Sequence, residues 1–145
     1  MKSDSDKLQS LGNHSTTYPD SYSPQSLEVF ENRFPGNDYV VELEIPEFTS
    51  LCPKTAQPDF AKLTITYCPD GHLVESKSLK IYMFSFRNEG SFHEDCVNKI
   101  CRDLNDIMLP KWIIVRGDFY PRGGISINPT AKRVKPGCTG LEGLM

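Results

Sequence analysis

Apolar and polar side chains begin to alternate at Tyr39. Tyr39, Val41, Leu43 and Ile45 alternate with Val40, Glu42 and Glu44, the period of a strand with one buried face. Pro46 removes a backbone donor and is expected to end that strand. The same period returns over 62–67, with Leu63, Ile65 and Tyr67 set against Lys62, Thr64 and Thr66. Pro69-Asp70-Gly71 then supplies a turn. From Ser76 the period lengthens. Leu79, Tyr82, Met83 and Phe86 recur at i, i+3, i+4 and i+7, one face of a helix, and Gly90 is its expected C-cap. A second helix is predicted over 91–108, with a stripe of Val97, Ile100, Cys101, Leu104, Ile107 and Met108 and a stop at Pro110. Residues 112–120 read as a third strand, and the Pro121-Arg122-Gly123-Gly124 turn leads into a fourth over 125–128.

This order (strand, strand, helix, helix, strand, strand) predicts an α+β domain, an antiparallel four-stranded sheet with two helices on one face. Its two edge strands invite sheet extension between copies. The domain spans 39–129. Residues 1–38 read as a mobile polar arm with a short packed segment at Leu27, Val29, Phe30 and Phe34. Residues 130–145 read as a loose tail.

Composition narrows the function classes. A chain of 145 residues, 38% hydrophobic and 24% charged, makes one soluble domain. A net charge of −3 without a basic block argues against direct nucleic-acid binding. No apolar run reaches the ~20 residues that span a bilayer and no leader pattern opens the chain, so a cytoplasmic setting without membrane contact is expected. Five cysteines (52, 68, 96, 101, 138) and three histidines (14, 72, 93) show neither metal-ligand nor disulfide-framework spacing. No metal is expected.

The segment 47–60, EFTSLCPKTAQPDF, joins the first two strands and carries Cys52 and Asp59, with Pro53 directly after the first and Pro58 directly before the second. Both prolines push their predecessors out of the helical region, which predicts a stiff, bent loop. Such a loop can hold a nucleophile beside a proton donor; it can equally hold a small buried cysteine and an ordinary turn aspartate. Three further polar clusters fall at element ends: Glu75-Ser76-Lys77, His93-Glu94 and Arg122-Gly123. Taken singly, each is as consistent with a helix start, a cap or a hairpin turn as with a site.

Together the clusters resemble a known family. Glu75-Ser76-Lys77-Ser78-Leu79-Lys80-Ile81-Tyr82, then Phe84-Ser85-Phe86-Arg87-Asn88, Phe92-His93-Glu94-Asp95, Cys52-Pro53 with Asp59, and Pro121-Arg122-Gly123-Gly124-Ile125-Ser126 are similar to the motifs of the NADPH-dependent 7-cyano-7-deazaguanine reductases. These are nitrile reductases of queuosine biosynthesis with the tunnelling fold, and the resemblance covers 39–129 in the short, single-domain form. It implies that Cys52 is the nucleophile that forms a thioimide with the nitrile, that Asp59 is the proton donor, and that His93 is part of the catalytic set. Val74, Glu75, Ser76, His93 and Glu94 would bind the 7-deazaguanine. Ser76, Lys77, Arg122 and Gly123 would contact NADPH, a co-substrate used twice per turnover. Rings, as pentamers stacked face to face, are implied as well. Ala56 stands where the pattern leads to glycine, and a positive φ there would cost about 1 kcal/mol. Cys96, two residues past Glu94, suggests either a protective disulfide with Cys52 or plain packing. The rival functions are an amidine-forming relative, which would lack the 75–80 signature, and a non-catalytic ring protein binding a purine or pterin.

Overall fold

A computed structural model describes residues 16–138. Its strands are β1 (Val29–Glu31), β2 (Val41–Leu51), β3 (Pro58–Cys68), β4 (His72–Val74), β5 (Trp112–Phe119) and β6 (Thr130–Val134). Two helices, α1 (Ser76–Phe84) and α2 (His93–Met108), lie between β4 and β5. The main sheet is antiparallel throughout, in the order β2-β3-β5-β6, and β1 and β4 form a small second sheet.

The buried face of the sheet follows the alternation. Ala61, Leu63, Ile65 and Tyr67 of β3 lie opposite Phe119, Gly117, Val115 and Ile113 of β5, and all eight are buried. Val97, Ile100, Cys101, Leu104 and Met108 of α2 and Leu79, Tyr82 and Met83 of α1 join them in one core with Phe86. Each fully buried aliphatic or aromatic side chain there contributes about 1.5–3 kcal/mol. Gly117 is small for a packing reason. A Cβ on it would stand 2.7 Å from the Phe119 ring and 2.9 Å from Val97.

Four expectations need correction. Pro46 does not end β2, which runs eleven residues to Leu51. The register slips by one residue between Ile45 and Phe48, so that Ile45 faces Leu63 and Phe48 faces Ala61. This bulge absorbs the proline, β2 is an edge strand, and edges tolerate a missing donor. The slip also changes parity: Leu43 and Ile45 face the core before it, Phe48 and Ser50 after it. The Cys52 loop is therefore short, only the residues between Leu51 and Pro58. Second, the fourth strand of the sheet is Thr130–Val134, inside the segment read as tail. Residues 125–128 contribute only the Arg122–Ile125 bridge, and Ile125 and Ile127 are exposed. Third, Gly90 is not a C-cap. Ser85 caps α1, and Gly90 bridges Leu51 with its Cα face against Pro53.

Fourth, the packed part of the arm runs from Tyr22 to Asn32, longer than expected, and Phe34 is exposed and not part of it. Tyr22 meets Phe86 edge-on, with ring centroids 5.2 Å apart, and donates a hydrogen bond to Asp103. The Ser23 amide donates to Ser85 Oγ, and β1 pairs with β4 through Val29–Val74. Asn32 is 3% exposed and donates to the Asp70 carbonyl while accepting from Tyr39. The first fifteen residues and those after Cys138, which hold the rest of the expected arm and tail, lie outside the described residues.

Candidate active site

Asp59 occupies the last position on the buried row of β3, after Tyr67, Ile65, Leu63 and Ala61. The pleat that buries those side chains also buries its carboxyl, which is 4% exposed. Ser50, fully buried, faces it across β2. A buried carboxyl needs partners, and Asp59 has two. Arg122 Nη1 donates to Oδ1 at 2.7 Å, and His93 Nε2 lies 3.3 Å from Oδ2. The other arm of the guanidinium, Nη2, donates to Gln57 Oε1. Arg122 is aimed by its turn: it exchanges backbone hydrogen bonds with Ile125 across Gly123 (φ 60) and Gly124 (φ 79). Both of those angles favour glycine.

His93 opens α2, with Phe92 as N-cap. Its ring lies flat on Phe119, with centroids 3.9 Å apart and planes 6° from parallel. Among the described residues its buried Nδ1 has no hydrogen-bond partner. The stack on Phe119 therefore sets the imidazole plane where a hydrogen bond usually would.

Cys52 sits in a tight turn closed by its own backbone. Its amide donates to the Gln57 carbonyl and its carbonyl accepts from Ala56. Ala56 holds φ 57, so alanine does occupy the left-handed position where glycine was expected. The turn points the Thr55 hydroxyl and the Thr55 and Lys54 amides at the sulfur. Thr55 is the main cause that brings the Cys52 thiol from 9.0 down to about 7, and the Arg122 guanidinium adds to it. The structural cysteines behave oppositely, and burial pushes the thiols of Cys68, Cys96 and Cys101 up. Cys96 is fully buried against the Ser50 and Ser91 hydroxyls. It and Cys52 are both free thiols.

Cys52, Asp59, His93, Glu94 and Arg122 line one pocket of about 200 Å³, rimmed by the exposed Phe92, Ile125 and Ile127. Gly123 belongs to the adjoining turn. Val74, Glu75, Ser76 and Lys77 lie elsewhere on the chain. Glu75 caps α1, accepting from the Lys77 and Ser78 amides at 2.7 Å each. Cys52 lies near the opposite end of that helix, where the Leu51 amide donates to the Glu89 carbonyl. The nine residues of α1 put about 13 Å of helix between the two ends. Ser76 opens instead onto a groove of about 550 Å³ between β2 and α1, which Lys80 and Arg87 also line. Sequence reasoning missed Thr55, Gln57 and Phe119. A hydroxyl three residues after a Cys-Pro pair signals a thiolate-binding turn, whereas Gln57 and Phe119 enter only through tertiary contacts. No group of three or more metal-ligating side chains occurs among the described residues.

The fold and the pocket define a tunnelling-fold protein in which an ionisable cysteine and a buried carboxyl line one pocket. The family described as QueF-like protein matches residues 58–137, and the chain belongs to that family. It is 57% identical to the NADPH-dependent 7-cyano-7-deazaguanine reductase of Oceanobacillus iheyensis, covering 90% of this chain and 79% of the relative. It is 61% identical to the protein of that name from Alkaliphilus metalliredigens, over 88% of this chain and 76% of the other. The Neisseria gonorrhoeae protein is 55% identical over 94% of this chain and 89% of its own. The crystal structure of an archaeosine synthase QueF-Like in the apo form superposes with a TM-score of 0.60 at 20% identity, over 64% of this chain and 91% of the other. That likeness confirms the fold.

Proposed function

We propose that this chain is an NADPH-dependent 7-cyano-7-deazaguanine reductase, which converts the nitrile to the aminomethyl group through a covalent thioimide on Cys52, in the cytoplasmic biosynthesis of queuosine. One observation carries the reading: an ionisable thiol and a buried carboxyl share one small pocket with a histidine and an arginine. A nitrile carbon is a modest electrophile. Addition of the Cys52 thiolate to it is productive when Asp59 protonates the nitrogen as the bond forms. His93 fixes the Asp59 side chain from the Oδ2 side, and Glu94 stands at the mouth for the substrate's N–H edge.

The donor set suits a dinucleotide phosphate. Ser76, Lys77 and Lys80 on the first turns of α1, and Arg122 with Gly123, are hydroxyl, cationic and backbone donors of the kind phosphates require. When bound, NADPH supplies the hydride for both reductions. The chain's part is to position the nitrile, to deliver protons from Asp59, and to keep water from the imine between the two rounds.

Glu75 lies a helix length from Cys52, so a 7-deazaguanine seated on Cys52 would meet Glu75 of another copy. Among the described residues no strand pairs with the outer edges of β2 and β6, apart from the Leu51–Gly90 bridge, and these edges with the exposed Phe60, Tyr120, Ile125 and Ile127 support assembly between copies. Rings of stacked pentamers are the assembly that the family resemblance implies. The test is direct: mix the protein with 7-cyano-7-deazaguanine, follow NADPH absorbance and measure intact mass. Two NADPH consumed per amine, with a Cys52 adduct absent in Cys52→Ala, is the expected result. An adduct without NADPH oxidation would instead indicate an amidine-forming enzyme, and no adduct a binding protein.

A further inference from the structure

We infer that Arg122 works in the nitrile-addition step itself, as the fixed cation beneath which negative charge passes from Cys52 to Asp59. The inference rests on the proposed function and deepens it. A residue reserved for a cofactor phosphate would be expected to reach toward solvent. Arg122 turns inward instead: Nη1 donates to Asp59 Oδ1 at 2.7 Å, Nη2 donates to Gln57 Oε1, and about a third of its side chain is exposed. The Gln57 carbonyl accepts from the Cys52 amide. One guanidinium thus ties the proton donor to the turn that carries the nucleophile, and its charge also reaches the Cys52 sulfur.

This arrangement assigns separate duties to the two carboxyl oxygens. A neutral carboxylic acid carries its proton on one oxygen while the other still accepts a hydrogen bond. With Oδ1 held by Arg122, the transferable proton belongs on Oδ2, the oxygen 3.3 Å from His93 Nε2. The addition step then balances. The Cys52 thiolate forms a bond to the nitrile carbon, one C–N π bond breaks, and its electron pair takes the proton from Oδ2. The charge that began on sulfur ends on the Asp59 carboxylate. Arg122 neighbours both positions, so it stabilises the start and the end of the transfer without moving. A preorganised cation of this kind costs no reorganisation during the step.

The experiment omits NADPH. Adduct formation with 7-cyano-7-deazaguanine is followed by intact mass against time and pH for the wild type, Arg122→Gln, Arg122→Lys and Gln57→Ala. The expected results are slowing by about tenfold or more in Arg122→Gln, the loss of one charge-assisted hydrogen bond, and a pH inflection moved upward. Arg122→Lys keeps the charge without the fork and should recover part of the rate. Gln57→Ala, which frees Nη2 but leaves the cation held by Asp59 Oδ1, should slow addition less than Arg122→Gln. Iodoacetamide labelling of Cys52 reports the same upward shift without substrate. Adduct formation by Arg122→Gln at the wild-type rate and pH profile would overturn the inference and leave Arg122 a cofactor role alone. Should the wild type form no adduct, the proposed function itself fails.

Discussion

If Thr55 is the main reason that Cys52 ionises near neutrality, removing its hydroxyl should disarm the nucleophile and leave the fold unchanged. With the thiol at about 7, roughly half of Cys52 is thiolate at pH 7; at the ordinary 9.0 the fraction is about one in a hundred. Thr55→Val therefore has a ceiling of about fiftyfold on the thiolate available at pH 7. The amides of Thr55 and Lys54 and the guanidinium of Arg122 remain in the variant, so the expected loss is several-fold. Thr55 is exposed, and its hydroxyl otherwise accepts only a long 3.3 Å bond from the Gln57 amide. The melting temperature should therefore be unchanged. The assay is the pH dependence of iodoacetamide labelling at Cys52, read by peptide mass. Cys68, Cys96 and Cys101 are buried and the half-buried Cys138 is resolved by its own peptide. The wild type should inflect near pH 7 and Thr55→Val higher, with the two rates converging at high pH once both thiols are ionised. A wild-type inflection near 9, or a variant that tracks the wild type across the range, would refute the reasoning.

Three further substitutions probe the scaffold. Gly117→Ala forces a Cβ to within 2.7 Å of Phe119 and 2.9 Å of Val97; overpacking of this kind costs about 1–3 kcal/mol. It should also shift Phe119 off the imidazole, so that the NMR ring-current shift of His93 falls along with stability, whereas a retained shift would contradict the stacking role. Tyr82→Phe removes the 2.6 Å bond to buried Asp103, which Tyr22 and Arg102 also contact. A loss of about 1–3 kcal/mol in chemical denaturation with unchanged slope is expected, and no loss would mean the cluster is only superficial. Ala56→Gly relieves the left-handed φ of 57. Strain relief of about 1–2 kcal/mol, set against about 0.4–1 kcal/mol of extra unfolded-state entropy, predicts a modest net stabilisation. A destabilised variant would show that the turn is not strained at that position.

What the sequence revealed, and what it hid, follows from where the information lies. The core rows were readable because side chains with period two and period 3.6 must alternate to be buried at all. β6 was not: along Thr130–Val134 only Ala131 packs against the core and the other four side chains are exposed, so no apolar period marks it. Ile125 and Ile127 imitated a strand by alternation while remaining exposed. Pro46 looked like a terminus because one proline reads the same whether it ends a strand or enters a bulge. In the site, Cys52 and Asp59 were visible as residue types on a constrained segment. Their chemistry was not, because the contacts that set it join residues far apart in sequence: Arg122 to Asp59, His93 to Phe119. Asp59 left one trace that could have been followed. Extending the alternation of β3 backward from Tyr67 through Ala61 places a carboxyl where the pattern calls for an apolar side chain, and a charged group on a buried row requires a partner.

On the proposed reading, Glu75 carries a structural and a recognition duty on the same atoms. Its two oxygens accept the Lys77 and Ser78 amides at 2.7 Å, so the carboxylate completes the first turn of α1 and is 4% exposed. A capping role does not compete with recognition of a guanine-like edge. It immobilises the acceptor, and an immobile acceptor distinguishes adjacent N–H donors better than a side chain free to follow them. The same coupling makes Glu75 a poor reporter of recognition, because its replacement also uncaps the helix. Glu94 lies exposed at the mouth of the Cys52 pocket, in the first turn of α2. If Glu94 holds the substrate edge as proposed, Glu94→Gln should weaken binding of 7-cyano-7-deazaguanine with an unchanged melting temperature, and unchanged binding would refute that role.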